Sequence, residues 1–349
     1  MSTNNRYHRQ IILPEIGETG QSLLLQAKVL VIGAGGLGCP VLQYLGAAGV
    51  GTIGIIDHDV VEISNLQRQI LFKQEDVGKP KAFVAQAALQ AQNADIAVIA
   101  YKEVLNPENA KDLIQNFDLV IDGTDNFATR YLVNDTCVLL GKPFIAASIL
   151  QFEGQIAVYN YQDGPTYRCL FPTPPLDALT CAEAGVLGVI GGIMGSLQAN
   201  EAIKMITGIG EVLAGKLFVI NALTLQNYTL SFERSTDWDK INPSFYANFC
   251  VGGVQNIEIT AIQLQEHFDH YTIIDIRKPE ELKRYTIGGL NISPENVMAQ
   301  VGLIPLEKDI IICCNNGNTS LKLVQELIST YKLHNVYSLK GGINTYMHL

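Results

Sequence analysis

The first residues that suggest chemistry are glycines at the end of a short apolar run. The run reads "VLVIGAGGLG" over residues 29–38, and its glycines are Gly33, Gly35, Gly36 and Gly38. Their G-x-G-x-x-G spacing is typical of a strand-to-helix turn that binds phosphate, because glycine lets the backbone approach closely and the helix N-terminus supplies N–H donors. Asp57 ends the next apolar run, "TIGIID", where such folds place a carboxylate that binds ribose hydroxyls. The turn predicts a nucleotide and leaves its identity open.

Cations and carboxylates downstream of this turn favour a polyphosphate. Asn65 and Arg68 lie in "HDVVEISNLQRQILF", and Lys81 follows in "DVGKPKA". Asp122 and Asp125 lie in "IDGTDNFATRY", at the end of another apolar run. Such a position is the carboxyl edge of a parallel sheet, where ligands bind and where a carboxylate can hold Mg²⁺. A nicotinamide ring needs none of these side chains, so we interpret the set as a site for a nucleoside triphosphate and its metal.

Each of these residues also has a structural interpretation. Arg68 and Lys81 could be solvated surface charges, and Asp125 could be the N-cap of a helix that begins near Asn126. The glycine turn by itself is most often part of an NAD site, so an NAD-dependent oxidoreductase is the alternative from another class of enzyme. The order of all these residues along one sheet edge favours the triphosphate.

Composition narrows the functional class further. The 349 residues are 48% hydrophobic, enough for two domains with buried cores, and a net charge of −10 without a basic block argues against a nucleic-acid partner. The N-terminus lacks the apolar segment of a secretory signal. The uncharged, glycine-rich stretch 184–200 is interpreted as a buried or subunit-interface helix and not as a membrane span. Seven cysteines then fit a reducing cytoplasm. We expect a cytoplasmic protein with no membrane partner.

The elements that would position these residues alternate along residues 28–148. Short, continuously apolar runs alternate with helical patterns, which predicts a doubly wound Rossmann-like α/β domain with helices on both faces of a parallel sheet. Three later runs, "GQIAVYNY", "KLFVINAL" and "YTLSFERS", predict an antiparallel extension of this sheet. We place the domain at residues 1–235, a linker at 236–255 and a second, small α/β domain at 256–349.

Six segments in order give the first domain a family resemblance. They read "RYHRQIILPEIG", "GAGGLGCP", "IDHDVVEISNLQRQ", "VGKPKA", "GTDNFATRY" and "LTCAEAGVLG". Over residues 5–235 the chain resembles the adenylating enzymes related to ubiquitin-activating enzyme, and most closely the molybdopterin-synthase adenylyltransferase and its thiamine-pathway counterpart. The resemblance implies ATP, Mg²⁺ and a small ubiquitin-like sulfur-carrier protein that ends in Gly-Gly. The terminal carboxylate of that carrier attacks the α-phosphorus, pyrophosphate leaves and an acyl-adenylate forms.

The resemblance also implies roles for particular residues. Asn65, Arg68 and Lys81 stabilise charge on the transferring phosphate, and Asp125 holds the metal. Arg9, in "RYHRQ", reaches across a homodimer into the site of the partner. The complete nucleotide-binding set on this basis is Gly33, Gly35, Gly36, Gly38, Asp57, Asp59, Ser64, Asn65, Arg68, Lys81, Asp125 and Asn126.

The cysteines of this domain suggest a covalent step and argue against zinc. In relatives, the position of Cys181 joins the carrier or a sulfur donor as a thioester or disulfide, and the helix that follows would favour its thiolate. A small buried thiol is the structural alternative. The family often carries two C-x-x-C pairs that bind zinc, but here Thr166 replaces one ligand and only Cys169 and Cys250 remain. Two thiolates are too few for a closed four-ligand site, so we expect no zinc.

The second domain, at about residues 256–349, resembles a rhodanese domain. The segments "IIDIRKPEEL", "IICCNNGNTS" and "LKGGINTYM" carry the resemblance, which implies that Cys314 accepts sulfur from a persulfide donor such as a cysteine desulfurase. Its loop would present N–H groups to a thiolate or persulfide. Neighbouring strand residues face opposite ways, so we expect Cys313 to face the core. The loop has Asn315 and Thr319 where arginine is common, and Thr286 stands where histidine is usual; a non-catalytic docking module is therefore the alternative.

Overall fold

The chain is described from a computed structural model, which covers residues 6–172, 185–235, 257–297, 308–331 and 336–347. It divides into two compact units, Met1–Tyr246 and Ala247–Leu349. The predicted linker at 236–255 lies outside the described residues. The two units are considered separately below.

The described strands of the N-terminal unit form one sheet. They are β1 (Lys28–Ile32), β2 (Thr52–Ile56), β3 (Ala97–Tyr101), β4 (Leu119–Asp122), β5 (Phe144–Leu150), β6 (Glu153–Tyr159), β7 (Lys216–Asn221) and β8 (Asn227–Ser231). Their order across the sheet is β3-β2-β1-β4-β5-β6-β7-β8. Neighbouring strands from β3 to β5 pair in parallel, whereas β5 to β8 pair antiparallel. The predicted doubly wound sheet with an antiparallel extension is confirmed.

Helices connect and cover these strands. They are α1 (His8–Ile11), α2 (Gly17–Gln26), α3 (Gly38–Ala48), α4 (Lys81–Gln92), α5 (Ala110–Ile114), α6 (Phe127–Leu140), α7 (Tyr167–Leu170) and α8 (Gly188–Thr207). Four residues of β1 and four of β2 are buried, as expected for central parallel strands covered on both faces. Because parallel strands all end at the same edge, the loops after β1, β2 and β4 meet there.

Helix α8 contains most of the glycine-rich stretch that was predicted to be a buried or interface helix. It packs against α3 and β5, and Ile190 and Met194 are fully buried. A Cβ on Gly191 would lie 3.0 Å from the carbonyl oxygen of Gly36, and one on Gly195 would overlap the carbonyl oxygen of Leu37. Because its glycines have no side chains, α8 can pack directly against the backbone of the glycine turn that follows β1. Among the described helices, none is long and apolar enough to cross a membrane.

The C-terminal unit has its own small sheet. The strands are β9 (Glu258–Ile259), β10 (Tyr271–Asp275), β11 (Leu290–Asn291), β12 (Asp309–Cys313) and β13 (Val336–Leu339), in the order β11-β10-β12-β13-β9 with every pair parallel. Its helices are α9 (Ala261–Glu266), α10 (Pro279–Leu282), α11 (Pro294–Val297), α12 (Asn318–Tyr331) and α13 (Gly342–Tyr346). Apolar clusters lie on the two faces of the sheet. This is the small α/β fold that the sequence predicted.

Candidate active site

Glycine makes the turn after β1 tight enough to form a phosphate cradle. Gly33 has φ +87°, a left-handed conformation that favours glycine, and its N–H donates to the carbonyl oxygen of Ile56 at 2.9 Å. Gly38 begins α3, where a Cβ would overlap the carbonyl oxygen of Gly33. The turn therefore closes directly onto the N-terminus of α3, whose free N–H groups and positive dipole end favour a phosphate.

Asp57 is held rigidly opposite this turn. Its Oδ2 accepts a hydrogen bond from Ala34 N at 2.7 Å, and its Oδ1 accepts one from Asp59 N at 2.8 Å. Burial raises the pKa of the carboxyl above its usual range, although these two N–H groups act in the opposite direction. Each carboxylate oxygen has a second lone pair, so Asp57 can still accept from ribose hydroxyls.

A short 3₁₀ turn, Ile63–Asn65, carries the amide side chain of the site, and the first cation follows this turn. Asn65 is buried, and its Oδ1 accepts from Glu62 N at 3.1 Å. Arg68 follows, and its Nη1 donates to the carbonyl oxygen of Ser64 at 3.2 Å. The stem of Arg68 lies against Gly36, because a Cβ on that glycine would be 3.4 Å from the Cγ of Arg68. The guanidinium is thus positioned beside the glycine turn.

Lys81, the second cation, is supplied by the first residue of α4. Its Nζ lies 3.0 Å from Oδ2 of Asp59, and its backbone N–H donates to the carbonyl oxygen of the same residue at 2.9 Å. The Lys81 side chain is only 7% exposed, whereas that of Asp59 is 54% exposed. The alternative of a solvated surface lysine is therefore wrong.

The carboxylate at the end of β4 and the one that follows this strand have different roles. Asp122 is fully buried, and its Oδ2 lies 2.6 Å from Nε of Arg130. Burial opposes the charge of Arg130, but the neighbouring carboxylate outweighs it and raises the pKa of the guanidinium. Asp125 is exposed at the cavity, and the cap of α6 is Asn126, whose Oδ1 accepts from Thr129 N at 2.8 Å. The interpretation of Asp125 as an N-cap is therefore wrong.

These residues line one cavity of about 500 Å³. From the predicted set it brings together Gly33, Gly35, Gly36, Asp57, Asp59, Asn65, Arg68, Lys81, Asp125 and Asn126. Gly38 and Ser64 do not line the cavity themselves. Gly38 packs against the backbone of Gly33, and the carbonyl oxygen of Ser64 accepts a hydrogen bond from Arg68. The sequence interpretation did not include Arg130 and Gln69, which also line the cavity. Arg130 lies within the quoted "GTDNFATRY", but its pairing with Asp122 is evident only from the fold.

The donor set fits a magnesium-bound nucleotide. Mg²⁺ is usually bound by one or two carboxylates together with substrate phosphates. Asp125 offers a carboxylate at the cavity, whereas the neighbouring Asp122 is already neutralised by Arg130. Within the described ranges, the one group of three ligand-type side chains close enough to share an ion is Asp57, His58 and Asp59, at the ribose end of the same cavity.

Arg9 does not line the cavity of its own chain. Helix α1 is anchored by Tyr7, whose hydroxyl accepts from Nδ2 of Asn93 at 2.8 Å, and by Gln10, whose Nε2 donates to Oε1 of Gln21 at 2.8 Å. Arg9 is exposed between these two anchors.

The remaining cysteine positions are only partly described. Among the described residues, Cys169 belongs to no group of side chains close enough to share a metal ion. Its Sγ accepts from Thr166 N and from Ser235 N, each at 3.3 Å, and lies 3.3 Å from the hydroxyl of Thr166. The Cys169 thiol thus joins α7 to the end of the antiparallel extension by hydrogen bonds. Cys181 and Cys250 lie outside the described residues.

Cys314 starts the loop between β12 and α12 in the C-terminal unit. Its carbonyl oxygen accepts from Ile343 N at 2.8 Å, and that of Asn315 accepts from Asn344 N at 3.0 Å. The backbone N–H of Ser320 donates to Sγ of Cys314 at 3.4 Å. Burial alone would raise the pKa of the Cys314 thiol. The Ser320 hydroxyl and backbone N–H groups of the loop outweigh burial, and the pKa lies below its usual value.

The neighbouring cysteine has the opposite character. Cys313 is fully buried in the other apolar layer and donates from Sγ to the carbonyl oxygen of Ile274 at 3.6 Å. Burial raises the pKa of its thiol. Cys313 therefore faces the core, as expected, whereas the role of Cys314 as a nucleophile stays a prediction.

Neutral side chains occupy the positions where cations and histidine were expected. Asn315 Nδ2 donates to Oε1 of Glu281 at 2.8 Å, so the residue after the nucleophile meets a carboxylate. Thr286 Oγ1 accepts from Gly288 N at 3.0 Å and closes a local turn. The nearby cation Arg277 is already paired with Asp275, 2.7 Å from Nη2 to Oδ2.

Comparisons with known proteins agree with this arrangement. Residues 7–239 match the ThiF family, and residues 260–348 match the rhodanese-like domain. A sulfur carrier protein adenylyltransferase of Thermus thermophilus is 53% identical over 238 residues, which cover 66% of this chain and 88% of that protein. The probable adenylyltransferase/sulfurtransferase MoeZ of Mycobacterium tuberculosis is 41% identical over 359 residues, covering 97% of this chain and 91% of the relative.

Solved structures show the same fold. The crystal structure of E. coli MccB with ATP superposes with a TM-score of 0.59 at 26% identity, covering 67% of this chain and 73% of that chain. Both the family matches and the relative that spans nearly the whole chain agree with the two described units. The chain therefore belongs to the ThiF family of adenylyltransferases, and a rhodanese-like domain follows its ThiF region.

Proposed function

We propose that this protein uses ATP to adenylate the C-terminal glycine of a small ubiquitin-like sulfur-carrier protein, and that Cys314 then supplies sulfur to the activated carboxyl group. The observation that carries the proposal is the cavity that combines a glycine turn with Arg68, Lys81 and Asp125. The name of the Thermus thermophilus relative, a sulfur carrier protein adenylyltransferase, supports the choice of substrate.

In the adenylation step, a carboxylate oxygen of the carrier attacks the α-phosphorus and the bond to pyrophosphate breaks. Arg68 beside the glycine turn and Lys81 at the start of α4 are the cations that stabilise the developing negative charge. Asp57 accepts from the ribose hydroxyls and fixes the nucleotide along the sheet edge. Magnesium, when bound with ATP, would neutralise phosphate charge, and Asp125 would hold it.

In the sulfur step, the terminal sulfur of a persulfide on Cys314 attacks the acyl-adenylate carbonyl and AMP leaves. The product is an acyl disulfide. A thiol reductant attacks the Cys314 sulfur and releases the carrier thiocarboxylate, and a second thiol then reduces the resulting mixed disulfide and frees Cys314. A cysteine desulfurase is the class of donor that we propose for loading the persulfide. Cys181 is the residue that we propose for a covalent link to the carrier or to the sulfur donor.

We propose a homodimer in which Arg9 of one chain enters the cavity of the other. Two features of the N-terminal unit support this arrangement. Arg9 is exposed and does not line the cavity of its own chain. Exposed apolar side chains also line a groove between α3 and α8, among them Tyr44, Ile70 and Val189. A second copy of the chain would cover this groove.

The carrier that we propose first is the small subunit of molybdopterin synthase, with the thiamine-pathway carrier as the alternative. Carriers that end in Gly-Gly should be captured from the native cell with the full-length protein, and their C-termini examined by mass spectrometry for adenylate or thiocarboxylate. Carrier-dependent exchange between ATP and pyrophosphate then tests the first step. Absence of exchange with every Gly-Gly carrier of the cell would refute the proposal.

An NAD-dependent oxidoreductase is the function from another class that the glycine turn alone would permit. The two ligands are distinguished by thermal unfolding, because a ligand that binds only the folded state raises the melting temperature. We expect MgATP to raise it and NADH to leave it unchanged. A shift with NADH alone would reverse the assignment.

A further inference from the structure

Behind Cys314 lies a buried chain of two hydroxyl groups. Ser320, on the first turn of α12, places its Oγ 3.3 Å from Sγ of Cys314. Ser338, on β13, places its Oγ 2.8 Å from Oγ of Ser320. Both serines are fully buried, and Cys314 itself is 6% exposed. Buried hydroxyl groups keep hydrogen-bond partners because an unpaired one costs free energy, so the partners of this chain can be counted.

One further acceptor completes the chain. The carbonyl oxygen of Gly317 lies 3.0 Å from Oγ of Ser320 and 3.4 Å from Oγ of Ser338. Gly317 is fixed in a left-handed conformation at φ +85°, with little space around it, because a Cβ there would lie 2.9 Å from Gly341 N. The acceptor therefore cannot easily move away from either hydroxyl group.

Counting protons gives two arrangements of this chain. When Cys314 is a thiol, its S–H can donate to Ser320, which donates in turn to the carbonyl oxygen of Gly317. When Cys314 is a thiolate, it can only accept, and the Ser320 hydroxyl can turn its proton to the sulfur. The Gly317 carbonyl oxygen then loses that donor but keeps the Leu321 N–H at 3.0 Å, and Ser338 is within reach to take the place of Ser320. The thiolate is stabilised without leaving any buried group unpaired.

We propose that Ser320 is a catalytic residue of the rhodanese-like domain, donating its hydroxyl hydrogen bond to the Cys314 thiolate, and that Ser338 is a positioning residue which frees Ser320 to do so. This proposal rests on the proposed function only in assuming that the Cys314 thiolate serves in sulfur transfer. This hydrogen bond would explain how the loop that follows Cys314 can present a nucleophilic sulfur although it contains no arginine. A hydrogen bond to a charged group is stronger than one between neutral groups.

Other charged groups around the loop do not supply this stabilisation. Asp275, opposite Cys313 in the sheet, and Arg277 form a buried ion pair and compensate each other. Glu281 accepts from Asn315 and would oppose a thiolate. Lys340 is exposed at the end of β13, before the glycine turn that packs on the loop. The hydroxyl chain and the loop N–H groups are thus the donors that approach the sulfur.

The test is the pH dependence of alkylation of Cys314 in the full-length protein, measured with iodoacetamide and peptide mass spectrometry. Because the thiolate is the reactive form, the midpoint of the rate profile reports its formation. We expect Ser320→Ala to raise the midpoint by about one pH unit and Ser338→Ala to raise it by about half as much, as charge-assisted hydrogen bonds of this kind would require. Thr260→Ala, which removes a hydroxyl elsewhere in the unit, should leave it unchanged.

Each outcome decides the matter. Restoration of the wild-type midpoint by Ser320→Thr would support the proposal, since it returns a hydroxyl. An unchanged midpoint in Ser320→Ala would overturn it, as would an equal shift in Thr260→Ala. If Ser320→Ala does not fold, as judged by circular dichroism, then an unchanged midpoint in Ser338→Ala overturns it. A protein that never accepts sulfur on Cys314 would refute the proposed sulfur step, but the alkylation profile would still report the hydroxyl chain.

Discussion

Replacing Lys81 by methionine should separate an effect on catalysis from an effect on stability. Methionine keeps most of the apolar stem, which is buried at the start of α4, and removes only the charge. The backbone N–H that donates to Asp59 is unaffected, so the loop that carries Asp57 and Asp59 should keep its shape. The Asp59 side chain is more than half exposed and can be hydrated once its partner is gone.

The expected magnitudes follow from this geometry. Losing one preorganised charged donor in the transition state costs about 2 to 4 kcal/mol, so carrier-dependent ATP–pyrophosphate exchange should fall roughly 30- to 900-fold. The free energy of unfolding should change by less than about 1 kcal/mol, because the lost ion pair has one solvated partner. The matched control is Lys79→Met. Lys79 lies two residues before Lys81 and pairs with Asp76 at 3.1 Å, but it does not line the cavity.

Both variants should be measured for exchange and for thermal unfolding under the same conditions. We expect Lys79→Met to exchange pyrophosphate at the wild-type rate and Lys81→Met to be strongly impaired, with both proteins folded. Equal exchange rates in the two folded variants would show that Lys81 does not act on the transferring phosphate, and the cationic part of the proposed site would be wrong.

Four other predictions concern separate parts of the chain. Asp125→Ala should abolish exchange without altering the free energy of unfolding, whereas Asn126→Ala should destabilise the protein by about 1 kcal/mol because it removes the cap of α6; equal destabilisation by both would contradict the division of roles. Mixing inactive Arg9→Ala and Asp125→Ala chains should restore part of the exchange in heterodimers, and no recovery after subunit exchange would exclude action in trans. Elemental analysis should find much less than one zinc per chain, since a closed site needs four ligands. Cys314→Ala should end sulfur transfer from any donor but leave ATP–pyrophosphate exchange intact. Thr319→Arg should improve turnover of the dianion thiosulfate more than transfer from a protein persulfide. A greater improvement with the persulfide would show that charge at this loop does not select the donor.

The parallel part of the sheet of the N-terminal unit could be predicted because its central strands are apolar at nearly every position. A run such as "KVLVI" is apolar at every position after the first, which is what burial on both faces requires. The antiparallel extension was also recognisable, since β6 alternates near its beginning and then becomes buried. Element ends were harder to predict: the pattern over residues 106–117 predicts a full helix, but α5 spans only Ala110–Ile114.

The roles of individual charges depended on partners that no local pattern shows. Asp122 and Asp125 are equivalent in the sequence, and only the fold shows that Arg130 neutralises the first while the second remains at the cavity. The hydroxyl chain behind Cys314 is a stronger example, because Ser320 and Ser338 come from α12 and β13 and meet only when the sheet forms. Residue types predict what a side chain can do, but its partners decide what it does.

The same reasoning explains why a glycine turn typical of NAD sites can serve adenylation. The turn and Asp57 bind what every such nucleotide shares, a ribose and a phosphate near a helix N-terminus. The choice of reaction is made at the other end of the cavity, where Arg68 and Lys81 supply positive charge and Asp125 supplies a carboxylate that α6 does not use for its cap. Hydride transfer would need an apolar surface for a flat ring at that place. Phosphoryl chemistry needs fixed charges there, and those are the side chains that the fold brings to the sheet edge.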